Sequence, residues 1–491
     1  MTAQNKAPQA KRTPFAVLFS WVLPAFAIAA FGMPLTVFLP NFYGSKEFAI
    51  SLGTVGIIFA VIRLVDVVID PAIGYFSDQL RTRLGRRRPM IIAGTPLMAL
   101  GIWMVYAPPP GVGPVYLTAW LMIMYFGYSL ILVPHLSWGS ELSTDYHERS
   151  RIYGWYQIFV VIGMMGVLMV PAVLSVKGFS QASQIEAMGI LSIVSLIIGI
   201  VACLTVVPES EVVHATRAPF FATLRFMIFH PAVWRLMVVD FLESLNQGTR
   251  GATFLYFAAY ALLIPKYGTL LLVGYFLSGV IFAPAWIALS RRVGKHKALN
   301  AAYIYGIVVG PTLFFIPPGN FLAALAVVTI SGAAYAAPAL FIRAMMADVA
   351  DADTFQNKAE RAGLMYAFLS LTSKVGLAFA VLIALNVLGL IGFDPKHANP
   401  ASVIANLRVL YILTPVGFAI STLVLMLGYP LTEAKQRALR TAIDRRAESE
   451  GDDEAKGEGD ILSSLVLTRA EAPAPETDAV NDASFAKGPA E

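Results

Sequence analysis

The run RLVDVVID at residues 63–70 places two carboxylates four residues apart inside an apolar stretch. On a helix this spacing puts Asp66 and Asp70 on one face, one turn apart. At the usual rise, they lie about 18 and 12 Å from the polar end that begins at Asp78. A carboxylate at such depth in a bilayer costs about 2.5 to 3.5 kcal/mol even on a mild scale, and two like charges cost more. A cation must offset them. It can be fixed, as Arg63 one turn earlier or Lys374 in LSLTSKVGLAFA, or mobile, as Na⁺ or a proton. Two acids and two bases at similar depth exceed what a simple helix-fastening pair needs. We therefore read Asp66 and Asp70 as cation ligands, with Lys374 and Arg63 as the coupling cations that compete for them.

A second polar set lies in LMVVDFLESLNQGTRGATFLYF, where Asp240, Glu243, Asn246, Gln247 and Arg250 fall within eleven residues. Steps of three and four bring Glu243, Asn246 and Arg250 to one face. Glu243 and Arg250 can close on each other as a packing pair. Alternatively, Arg250 can hold a uronate, sulfonate or phosphate, whose oxygens its planar fork matches. Tyr128, His135, Trp138, Tyr156 and Gln157, from the fourth and fifth apolar stretches, are the remaining candidates for a substrate wall. His135 can titrate near neutrality, although a lone helical histidine more often packs. Asp78 with Arg86, then Glu141, Asp145 and Arg149, and Asp348, Asp351 and Arg361 interleave acids with bases at helix ends. That pattern suits ion pairs that hold a gate closed. No Gly-rich phosphate loop, Cys/His metal spacing or nucleophile elbow is present, so the chain reads as neither an ATP-driven pump nor an enzyme.

The elements that position these residues follow from composition. The 491 residues are 57% hydrophobic and 14% charged, as in a membrane protein. About twelve stretches reach the roughly 20 apolar residues that a spanning helix needs. They lie near 15–40, 49–77, 89–107, 114–142, 151–175, 186–207, 232–262, 267–290, 297–316, 321–346, 363–392 and 404–428. Lys and Arg concentrate at Lys6 to Arg12, Arg81 to Arg88, Arg149 and Arg151, SRRVGKHK at 290–297, and Lys435 to Arg446, all on one side. The opposite loops keep little beyond Lys46, Lys177, Lys266 and Lys396. Basic loops stay inside, so both termini are expected in the cytoplasm and the chain in a cell inner membrane. The polar start has no cleavage pattern and reads as retained. Cys203, the single cysteine, reads as a packing thiol. The net charge of +5 reports topology and contact with membrane lipid, not nucleic acid.

The expected organisation is an N-terminal segment 1–13, a six-helix half 14–207, a linker 208–231, a second half 232–430 and a disordered tail 431–491. GYFSDQLRTRLGRRRP has a weak counterpart in WIALSRRVGKHK, and ELSTDYHERSRIYGWYQ has one in ADVADADTFQNKAERAGLMYA. Two such halves around a midplane site define an all-α membrane protein of the major facilitator fold, with twelve transmembrane helices.

The Asp66/Asp70 helix, SDQLRTRLGRRRP, VPHLSWGSELSTDYHERSR at 133–151, ADVADAD at 347–353 and TSKVG at 372–376 together resemble the glycoside–pentoside–hexuronide:cation symporter family over roughly residues 14–430. The resemblance implies Asp66 and Asp70 as ligands of a coupling Na⁺ or H⁺, Ser129 as a neutral oxygen ligand and Lys374 as the facing lysine. Ile69 replaces an asparagine of the melibiose-type members, which leaves the cation open. Leu132, Leu136 and Gln157 stand where those members carry sugar-binding side chains, and the first helix has no acid. The implied activity is cation-coupled symport of a sugar, glycoside or uronide by alternating access, by a monomer without a bound cofactor. A lysophospholipid or other amphiphile is the alternative substrate. A scramblase or a non-transporting sensor is the alternative class.

Overall fold

The computed structural model describes residues 12–48, 50–143, 146–209, 230–357 and 362–431, with Lys435 and Ala438. The helices are α1 (Phe15–Val37), a short α2 (Leu39–Tyr43), α3 (Leu52–Gln79), α4 (Arg88–Tyr106), α5 (Pro114–Glu141), α6 (Tyr146–Val176) and α7 (Gln181–Val206). After the linker come α8 (Pro231–Tyr256), α9 (Gly268–Val293), α10 (Lys295–Val309), α11 (Phe321–Gly332), α12 (Ala336–Asn357), α13 (Ala362–Leu390) and α14 (Ala401–Met426). All belong to one unit, Met1–Glu433. Nearly all of the expected linker 208–231 and tail 431–491 lies outside the described residues.

Among the described residues, eleven stretches are long and apolar enough to cross a membrane. The twelfth rod, α8, falls short because Asp240, Glu243 and Arg250 interrupt it. Its polar face is turned inward, where Asp240 and Glu243 are 6% and 7% exposed. Large apolar side chains such as Val68, Val308 and Val424 face outward, which suits lipid and not water. The expected tenth span is broken into α11 and α12 by a turn at residues 333–335. Trp286 Nε1 donates to the Ala333 carbonyl at 2.8 Å, supplying a partner at the break. The helix then runs on to Asn357, through the ADVADAD segment expected to follow the span.

Local chemistry explains the helix ends. Ser51, Ser180 and Asn320 cap α3, α7 and α11 by accepting from Thr54, Ser183 and Ala323 N–H groups at 3.1, 3.2 and 3.0 Å. Proline opens α5 and α8, where its missing N–H has no helical partner to lose. Small residues let rods touch. A Cβ on Gly127 of α5 would lie 2.5 Å from Met98 N and 2.9 Å from the Gly94 carbonyl of α4. Gly127→Ala must therefore part the α4–α5 seam, at a cost of about 1 to 3 kcal/mol. A lower unfolding temperature in detergent is the expected reading, and an unchanged one would contradict the close packing.

The halves are fastened to each other at the end opposite the basic loops. Asn41 Nδ2 donates to the Ala252 carbonyl at 3.2 Å, and Ser175 Oγ donates to the Lys266 carbonyl at 2.7 Å. Lys396 Nζ reaches the carbonyls of Phe48 and Ile50 at 2.8 and 3.0 Å. Beside it, Asp394 accepts from His397 and from the Lys396 N–H, which hold its carboxyl below the ordinary range. Lys396→Ala removes two inter-half bonds at a partly exposed site, about 1 kcal/mol in all. The population open at this end should rise about fivefold, read as longer spin-label distances between positions 47 and 397.

Candidate functional site

The deep charges meet where the halves meet. Lys374 Nζ, on α13, donates to Asp66 Oδ2 at 2.9 Å and to Asp70 Oδ2, both on α3. Ser129 Oγ, on α5, donates to Asp66 Oδ1 at 2.5 Å. Asp70 Oδ1 is buried with no partner among the described residues. Pro71 follows directly inside α3 and has no N–H for the Val67 carbonyl, so a backbone oxygen also loses its helical donor here. Within 4.0 Å, two carboxylates thus share one ammonium. One unit of negative charge is left over, with carboxylate and hydroxyl oxygens around it. This donor set fits a hard monovalent cation or a proton. Arg63 does not join it: its Nη2 donates to Thr36 Oγ1 on α1 at 2.9 Å.

The polar face of α8 divides its labour. Asp240 accepts from Thr372 Oγ1 at 2.9 Å and Ser373 Oγ at 2.5 Å, the two residues before Lys374. Glu243 accepts from Gln247 Nε2 at 3.0 Å, Tyr303 Oη at 3.4 Å and Asn246 Nδ2 at 3.5 Å. The Arg250 guanidinium carbon lies 4.9 Å from the Tyr275 ring centroid. No Glu243–Arg250 ion pair within 4.0 Å occurs among the described residues, although Glu243 is close enough to act on Arg250 electrostatically. A cavity of about 260 Å³ opens beside Arg250, lined by Met33, Thr36 and Met164 from the first half and by Gln247, Arg250, Phe276, Tyr335 and Tyr411 from the second. Glu243, Asn246, Gln247 and Tyr303 line an adjoining pocket of about 70 Å³ that also reaches Arg250. Thr36 lines the larger cavity and accepts from Arg63, one turn from Asp66. Cavity and acid pair are therefore neighbours.

The expected first-half wall is not the wall of this cavity. His135 and Trp138 are fully buried. The His135 ring stacks on Trp21 at 4.9 Å and 15°, and Trp138 Nε1 donates to the Pro208 carbonyl at 3.0 Å. Tyr128 packs on Phe31 at 5.0 Å and Tyr156 on Trp21 at 5.6 Å, while Gln157 is exposed away from the cavity lining. Trp21 of α1 captures the His135 face, and the apolar Met33–Thr36 stretch is left toward the cavity. Tyr275, Tyr303, Tyr335, Tyr411 and Thr36 were missed by the sequence reading. Their only signal was hydroxyls at membrane depth.

The charged helix ends are paired among the described residues. Arg86 Nη2 and Arg87 Nη2 both reach Glu141 Oε1 at 2.6 Å, and Arg87 Nη1 donates to Ser77 Oγ at 2.7 Å. Glu209 caps the start of α4, accepting from the N–H groups of Arg86, at 2.9 Å, and of Arg87. Lys295 pairs with Asp348 at 2.6 Å, and Asp351 is exposed. Burial raises the Glu148 carboxyl, but bonds from Arg151 and the Thr13 N–H outweigh it and hold it below its ordinary range. The pairs described here each lie within one half. Asp145, Arg361 and the side chains of Asp78 and Arg149 lie outside the described residues. Glu141→Gln withdraws the carboxylate from the buried Arg87, at about 3 kcal/mol. Thermal stability should fall while the cation dependence of any remaining transport stays unchanged; lost cation dependence would assign the pair a gating role.

Among the described residues, membrane-length rods in two halves, with a charge cluster and a cavity between them, define a membrane transporter of the major facilitator type. Residues 20–433 match the model of the family described as MFS/sugar transport protein, and the chain belongs to that family. It is 24% identical to the Glucuronide carrier protein homolog of Escherichia coli (strain K12), over 86% of this chain and 92% of that one. It is 24% identical to the Isoprimeverose transporter of Lactiplantibacillus pentosus, over 84% and 88%. With the Sodium-dependent lysophosphatidylcholine symporter 1 of Gallus gallus it shares 23%, over 81% and 84%. In fold it is similar to a crystal structure of the nucleoside transporter NupG, with a TM-score of 0.62 at 15% identity, covering 84% of this chain and 99% of that one. The chain is a secondary transporter.

Proposed function

We propose that this transporter couples a monovalent cation, Na⁺ or H⁺, to the uptake of a small sugar-type solute across a cell inner membrane. In this reading both termini are cytoplasmic, and the chain works as a monomer among lipids without a bound cofactor. The observation that carries the reading is the sharing of Lys374, from one half, by Asp66 and Asp70 of the other. A cation entering between Asp66, Ser129 and the free Asp70 oxygen supplies the missing charge and competes with Lys374. Releasing Lys374 loosens the α3–α13 tie, and the halves can pivot about the central cavity. With Lys374 engaged and the halves joined at the end opposite the basic loops, this arrangement is assigned to the inward-facing stage of the cycle. Linkage then requires that substrate tighten cation binding by the same factor as cation tightens substrate binding.

The test is a thermal-shift titration of the purified protein against neutral and anionic glycosides, with and without Na⁺, at two pH values. Stabilisation by solute that grows with Na⁺, or with protonation, supports coupling and identifies the ion. Stabilisation by solute that is indifferent to both would remove it.

A further inference from the structure

We infer that Arg250 is the anchor of an anion-binding subsite, and that the substrate is a ring-sized monoanion with an apolar body rather than a neutral sugar. This rests on the transport reading above and narrows it. Arg250 belongs to both cavities, and no carboxylate lies within 4.0 Å of it among the described residues. Its neighbours are the Tyr275 ring beneath the guanidinium and the Tyr411 side chain, which is hydrogen-bonded to it and itself stacks on Phe257 at 4.2 Å and 15°. Such stacking orients the guanidinium plane, and with one bond given to Tyr411 the five-donor fork still has donors for an oxyanion. Glu243, the nearest acid on the same face, has its oxygens occupied by Gln247, Asn246 and Tyr303. A guanidinium whose nearest acid stands beyond ion-pair distance is costly at membrane depth, and an arriving carboxylate, sulfonate or phosphate reduces that cost.

The rest of the large cavity has the opposite character. Met33, Met164, Leu272 and Phe276 face it, with Gln247 as the other polar contributor of the same helix. An apolar aglycone suits that wall better than a ring of hydroxyls. At about 260 Å³ the cavity lies just under the usual ligand range, which begins near 300 Å³. A long acyl chain would not fit in it, so an aryl uronide meets the requirement and a lysolipid does not.

The experiment is calorimetric binding to the full-length protein in nanodiscs, with Na⁺ present, of nitrophenyl glucuronide, nitrophenyl glucoside and a long-chain lysophosphatidate. The glucuronide should bind at least about tenfold more tightly than the glucoside, the scale of a charge-assisted bidentate contact. Arg250→Gln should abolish that ratio, and Arg250→Lys should leave an intermediate one, because charge survives but the fork does not. Equal affinities in the wild-type protein, or a ratio that survives in Arg250→Gln, would overturn the inference. So would tight binding confined to the lysophosphatidate. If Arg250→Gln does not fold, the wild-type ratio and Arg250→Lys still decide. Equal cation-driven uptake of glucoside and glucuronide would overturn the anion site while leaving symport intact; an anion preference without cation dependence would do the reverse.

Discussion

Lys374→Ala is expected to fold poorly in cation-free buffer and to recover when Na⁺ is added or the pH is lowered. The substitution leaves Asp66 and Asp70 one turn apart without the ammonium that both now contact. Removing one member of a buried pair costs about 3 to 5 kcal/mol. The Lys374 and Asp70 side chains retain 23% and 20% exposure, which puts the loss at about 3 kcal/mol, the lower end of that range. A bound Na⁺ or a proton can restore most of it, because either takes the position the ammonium vacates. Apparent cation affinity should rise at least about tenfold, since a competitor worth 1.4 kcal/mol or more has gone. Unfolding temperatures with and without Na⁺ at two pH values give the check. A variant as stable as the wild type, with the same response to Na⁺, would mean that Lys374 does not compete with a cation.

Asp70→Asn is expected to separate folding from coupling. The remaining Asp66, Lys374 and Ser129 form a neutral, hydrogen-bonded set, so the halves still assemble and the unfolding temperature should stay near that of the wild type. What disappears is the surplus negative charge that attracts the cation. In proteoliposomes under a tenfold inward cation gradient, one-to-one coupling supports about tenfold accumulation of solute, a driving force of about 1.4 kcal/mol. The variant should only equilibrate its solute, bringing that ratio to about one. Accumulation equal to the wild type would place the cation elsewhere.

Much of this site was legible before any coordinates, because charge in a membrane segment has few structural excuses. Asp66, Asp70 and Lys374 stood out as acids and a base at bilayer depth, and the fold brings them together from two halves. The apolar lengths and the one-sided Arg and Lys loops gave the spans to within a few residues. Partnering was harder to read. Arg63 is as close to Asp66 in sequence as a helix neighbour can be, yet Thr36 of α1 takes it. His135 and Trp138 carried the chemistry of a sugar wall, but α5 is apolar on nearly every face, so nothing in its periodicity told which face Trp21 would cover. The cavity is instead completed by Tyr275 and Tyr411 on two rods and Tyr335 in the turn between α11 and α12, single hydroxyls whose convergence is a tertiary fact. The ion pairs at the basic end were legible only in part for a similar reason. Interleaved acids and bases reveal that pairing occurs, but not whether the partner lies in the same half.

Substrate-driven cation movement tests the role of Asp66, Asp70 and Lys374 most directly. Proteoliposomes are loaded with equal cation inside and out, and solute is added outside while cation entry is followed by tracer or by internal pH. Wild-type protein should carry cation inward with the solute, against the gradient that then develops, and Asp70→Asn should carry none. Solute entry without cation movement in the wild type, or undiminished cation entry in Asp70→Asn, would contradict the cation site.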